Sequence, residues 1–145
     1  MKFVYGVLTG LLVLGAGNVF ANEPEQVYSC SLNKTFSLVI SLHSEEGAFQ
    51  SVVLETKDFL GRVEEHIVTL KRPSMQLIHY GNVLMIAQDF GRSGYVFIRL
   101  EKSSGNSYEG KIDINLFFKG VSSLTGGELT QLACMRLGSE AGDQL

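Results

Sequence analysis

The sequence predicts an all-β fold: a single small antiparallel meander β-barrel, or barrel-like sandwich, of about eight to nine short strands. Three observations carry that expectation. Beyond Ala21, apolar residues recur with period two and not 3.6. Gly, Asn, Ser and Pro punctuate that pattern at short intervals. The chain's two cysteines, Cys30 and Cys134, stand in the first and last of the alternating runs, so one disulfide would join the first and last strands.

The chain opens with a different kind of segment. Lys2 is a short positive region, residues 3–14 are apolar and rich in leucine, and residues 15–21 are small and turn-prone. This is the pattern of a secretory signal over residues 1–21, cleaved after Ala21. The barrel domain is expected over 22–137, followed by a frayed C-terminal tail over 138–145. Once the leader is removed, no apolar run is long enough to cross a membrane as a helix, and no stable membrane insertion is expected.

The strands follow in order. Residues 27–32 place Tyr28, Cys30 and Leu32 on one face. Residues 35–42 alternate, with Phe36, Leu38, Ile40 and Leu42 on one side and Ser37 and Ser41 on the other. After a turn at 43–48 come strands at 49–56 and 62–71, separated by a loop that carries Phe59 and Leu60. Pro73 ends the fourth strand. Residues 75–80 and 83–89 form a hairpin about Gly81-Asn82. Strands at 95–101, 108–119 and 129–137 complete the set. In the longest of them Tyr108, Ile112, Ile114, Leu116 and Phe118 oppose Lys111, Asp113 and Asn115. Outer-membrane barrels show a continuous apolar exterior and strands of about 9–11 residues. The polar outer face and short runs here do not follow that pattern.

In an exported chain two cysteines are most simply one disulfide, and their spacing excludes a Cys-x-x-Cys redox pair. The formal net charge is −3, with both signs interspersed. No basic stripe marks a nucleic-acid footprint.

Signs of chemistry are sparse. Asp89-Phe90-Gly91 lacks the Gly-rich loop, lysine and catalytic loop that would make it a kinase element. His43, His66 and His79 stand at no metal-ligand spacing, although Glu64 and His66 share a strand face. No Gly-x-Ser-x-Gly elbow is present. No cofactor, metal site or catalytic residue is therefore expected. A hydrolase would need a site assembled only in space.

Tyr28-Ser29-Cys30 near the start and Cys134 near the end resemble the periplasmic inhibitors of C-type lysozyme. The resemblance implies a small exported barrel that inserts two loops into the enzyme cleft. One carries a Ser-Gly-x-x-Tyr element and a later one a Lys-Gly element. Ser93-Gly94 and Lys119-Gly120 are the matching positions here. Tyr95 follows Gly94 at once, and Val121-Ser122-Ser123 stands where the family has acidic residues. The enzyme-facing elements thus depart from the family's pattern at both positions.

The resulting expectation is an exported, periplasmic or extracellular, non-enzymatic barrel that binds a protein, a glycan or a small apolar ligand. A lysozyme-inhibitor-like protein and a hydrolase are the alternatives. In a meander, alternate connections emerge at the same end. Connections 43–48, 72–74, 90–94 and 120–128 thus gather at one end, with His43, Arg72, Phe90, Arg92 and Leu124 as candidate partner contacts. Phe59 and Leu60 at the opposite end are the second candidate.

Overall fold

The computed structural model describes residues 24–117 and 129–138. The expected leader, Phe118, Lys119-Gly120, Leu124 and the rest of 118–128, and the tail beyond Gly138 lie outside the described residues. Nine strands run β1 (Gln26–Ser31), β2 (Phe36–Glu45), β3 (Ala48–Asp58), β4 (Val63–Lys71), β5 (Gln76–Tyr80), β6 (Val83–Asp89), β7 (Gly94–Ser104), β8 (Ser107–Leu116) and β9 (Thr130–Leu137). All pairings are antiparallel, in the order β4-β3-β2-β1-β9-β8-β7-β6-β5. The meander curls into a half-barrel whose first and last strands meet and whose two free edges, among the described residues, are β4 and β5.

The alternation predicts the inner face well. Leu38, Ile40 and Leu42 from β2, Val52 and Leu54 from β3, Ile86 from β6, Ile98 and Leu100 from β7, and Ile112 and Ile114 from β8 are all essentially inaccessible. Met75, just before β5, closes over this core from the β4–β5 connection. Aliphatic side chains fill the concave face of the sheet, as the hydrophobic effect favours for a sheet apolar on one side.

Two connections are tighter than their composition suggests. The polar stretch at 43–48 is largely strand, with only Glu46-Gly47 turning, both at positive φ. His43 therefore belongs to β2, where the register shifts between His43 and Ser44. The stretch at 102–107 likewise reduces to Gly105-Asn106. In both cases the ladder continues beyond the apolar core. Backbone hydrogen bonds need no buried side chain, so polar residues extend the hairpins into solvent.

Cys30 and Cys134 face each other directly in the β1–β9 ladder and form the expected disulfide across 104 residues of chain. Its surroundings are made to receive it. Gly110 of β8 lies on the inner face, where a Cβ would stand 2.7 Å from the Cys134 sulfur and 3.2 Å from Leu100. The sheet needs glycine there, a requirement that period-two reading passes over. Tyr28 and Tyr108 meet edge to face beside it, ring centres 5.1 Å apart. Burial, then the neighbouring Tyr108, pushes the Tyr28 phenol up to about 12, with Arg136 acting the other way.

Replacing the pair (Cys30→Ala with Cys134→Ala) is expected to cost about 2–5 kcal/mol of unfolding free energy, the usual range for a disulfide in a small exported domain. Urea titration followed by circular dichroism measures it. A loss below half a kilocalorie would show that the β1–β9 ladder holds without its cross-link.

Candidate functional site

The topology groups the connections as the meander requires. Arg72 joins the β4–β5 connection to the β2–β3 hairpin, its amide donating to the Gln50 carbonyl and its Nε to the Phe49 carbonyl at 2.8 Å. The Phe117 amide donates to the Ser93 carbonyl at 2.9 Å and so joins the β8–β9 connection to the β6–β7 turn. At the other end the Lys102 amide reaches the Asn82 carbonyl, and the Arg136 amide that of Asn106.

The candidate contacts at the first end have different roles. Arg72 also donates through Nη2 to the Leu77 carbonyl, so its guanidinium straps β3 to β5 across the mouth of the open side. Phe90 is half-buried against the core. His43 is half-buried within β2. Arg92 is exposed in the short 3-10 turn Gly91–Ser93. Leu124 lies outside the described residues. Gly94 has a packing reason for its identity: with φ near 115°, a Cβ there would lie 1.9 Å from the Asn115 carbonyl oxygen. The Tyr95 hydroxyl donates to Asp113 at 2.7 Å across the β7–β8 ladder.

The β3–β4 turn is built differently. Asp58 is only 8% exposed and organises the whole of it. Its carboxylate accepts the Leu60 and Arg62 amides through Oδ1, each at 2.9 Å, and the Arg62 Nε through Oδ2 at 2.8 Å. Its own amide donates to the Arg62 carbonyl, and its carbonyl accepts the Gly61 amide. The Arg62 guanidinium completes an ion pair at 2.7 Å. The backbone hydrogen bond from Arg62 is the leading reason that the Asp58 carboxyl lies below its ordinary range. Phe59 and Leu60 stand out from this brace, 76% and 63% exposed, with the exposed Val63 beginning β4 beside them.

The hydrogen bonds to Asp58 fix the backbone that carries these two apolar side chains, and a pre-ordered backbone lowers the ordering cost of binding. The local sequence contains the signal: an acidic residue followed by two apolar residues, with glycine three positions on and arginine four.

Elsewhere, among the described residues, shallow depressions open on the surface. One of about 470 Å³ lies over β1, β8 and β9 and is lined by Ser29, Ser31, Ser107, Glu109, Gln131 and Met135 among others. Another, of about 410 Å³, is bordered by Ser74, Gln76, Gln88 and Asp89 beside the short β5. Among the described residues no group of three or more His, Cys, Asp or Glu could hold a metal ion. Glu64 and His66 are exposed, and His66 is within 2.9 Å of the Thr69 hydroxyl. Compared with known protein families, curated proteins and solved structures, the chain matches none.

The depressed Asp58 carboxyl gives a pH signature. Its ionised form is favoured in the folded state, so its contribution is present above the ordinary carboxyl value of 3.8 and is lost as pH falls through the lower folded value. Asp58→Ala is expected to lower the urea midpoint at neutral pH and to flatten the loss of stability on acidification. Parallel acid limbs for the two proteins would show that the carboxylate does not brace the turn.

Proposed function

We propose that this chain is an exported, non-enzymatic binding protein that meets a protein partner on its exterior, at the β3–β4 turn. The observation that carries the proposal is the pair Phe59 and Leu60, exposed to water on a turn whose backbone is tied down by Asp58 and Arg62. Large apolar side chains on a preorganised element are the usual anchors of protein interfaces. The filled inner face supports an exterior site over an internal ligand. The disulfide supports an oxidising compartment, periplasmic or extracellular. The free edges of β4 and β5 weigh against a membrane-spanning barrel, since unpaired strand edges are not tolerated in hydrocarbon.

A second reading has one observation in its favour. The Phe117–Ser93 hydrogen bond sets Ser93-Gly94 beside the start of the segment that contains Lys119-Gly120. These are the two elements through which the lysozyme-inhibitor resemblance would act. Against it stand the packing reason for Gly94 and the engagement of Tyr95 by Asp113.

Oxidised protein immobilised and exposed to extract of the native envelope or secretion is expected to retain a discrete protein. Phe59→Ser with Leu60→Ser should reduce capture at least about tenfold, the equivalent of one apolar anchor. Arg92→Ala should leave it unchanged. Capture that depends on Arg92 and not on Phe59 and Leu60, or stoichiometric inhibition of a C-type lysozyme by the wild-type chain, would move the site to the opposite end.

A further inference from the structure

β4 and β5 each pair with a strand on one side only among the described residues, yet their free edges are constructed differently. The β3–β4 ladder is interrupted by two register shifts, and β4 exposes Glu64 and Glu65. Bulges and charges are two of the means by which edge strands avoid pairing with other chains. β5 has neither. It contains no Asp, Glu, Lys, Arg or Pro, and its ladder with β6 runs without a shift. Ile78 and Tyr80 project from its outer face, 57% and 84% exposed.

The backbone of β5 also has a definite polarity toward its free side. The two-residue turn Gly81-Asn82 makes Tyr80 and Val83 the closing hydrogen-bonded pair of the hairpin. Alternation along an antiparallel ladder then turns the backbone groups of Leu77 and His79 away from β6. Arg72 agrees with that orientation, since the carbonyl it reaches from the β4–β5 connection is that of Leu77.

We propose that β5 is the surface by which two copies of this chain associate, antiparallel about a two-fold axis through Ile78. In that register Leu77 of each copy faces His79 of the other. All the backbone groups that β5 turns outward then find partners, and the two curled sheets continue into one another. Ile78 meets Ile78 of the second copy, Tyr80 meets its Gln76, and no like charges oppose. A carbonyl has two acceptor positions, so the Arg72 hydrogen bond to Leu77 leaves one open. β4 offers no equivalent contact, because two register shifts interrupt its ladder with β3, and such irregularities twist an edge away from pairing. Pairing β4 with β5 of another copy is head to tail and need not close.

The oxidised full chain, exported with its own leader, is expected to sediment as a concentration-dependent dimer. Ile78→Lys places two ammonium groups at the axis and should weaken association by more than about tenfold, with an unchanged circular dichroism spectrum. Ile78→Cys should give a disulfide-linked dimer on mild oxidation, because non-hydrogen-bonded positions across an antiparallel ladder lie about 4.5 Å apart. Val63→Cys on the β4 edge should not. A chain that stays monomeric at every concentration overturns the proposal, even if a strand from a different protein binds β5. So does a dimer that survives Ile78→Lys, or one that is cross-linked through Val63→Cys.

Discussion

The direct pairing of Cys30 with Cys134 is the constraint on which the rest of the structure depends. An antiparallel meander has one seam to choose, and neighbours in sequence supply every other pairing at little entropic cost. Joining the first strand to the last is the one strand pairing, among the described residues, not made between neighbours in sequence, and it is closed over 104 residues. Loop-entropy models assign such a cross-link a stabilisation of about 4–5 kcal/mol, comparable with the whole net stability of a small domain. Because the ends are joined, the gap in the sheet falls in the middle of the chain, between β4 and β5. Gly110 and the Tyr28–Tyr108 contact make room for the bridge and enclose it.

The placement of that gap organises the surface. β4 meets β3 with two register shifts and carries charge, whereas β5 is short, pairs with β6 without a shift and contains no Asp, Glu, Lys or Arg. Arg72 ties β3 to β5 and so fixes one mouth of the open side. At the other mouth Asp58 gathers the β3–β4 turn and holds Phe59 and Leu60 in water. Buried aliphatic residues occupy the concave face, leaving the rims and outer faces as the places where specificity can reside.

Much of this was legible in the sequence, because a strand with one wet face writes its burial into alternate letters. Leu38, Ile40 and Leu42, or Ile112, Ile114 and Leu116, can be read as inner residues without coordinates. What escaped was whatever does not depend on apolar side chains. The hairpin extensions at His43–Glu45 and Lys102–Ser104 are polar and still pair. The opening between β4 and β5 is a matter of which strands pair, which no residue type announces. The candidate site was half visible: Phe59 and Leu60 stood out as exposed apolar residues, but the brace beneath them requires seeing Asp58 folded back on Leu60 and Arg62. Arg72, a candidate partner contact from the sequence, has its guanidinium engaged by two carbonyls.

Amide hydrogen exchange before and after reduction of the disulfide shows whether the bridge secures the seam of an otherwise locally paired sheet. Reduction is expected to accelerate exchange first at the β1–β9 ladder, Val27 to Cys30 against Cys134 to Leu137, while the β6–β7 ladder keeps its protection. Uniform loss across all strands, or loss beginning at β6 and β7 with the β1–β9 amides still protected, would contradict it.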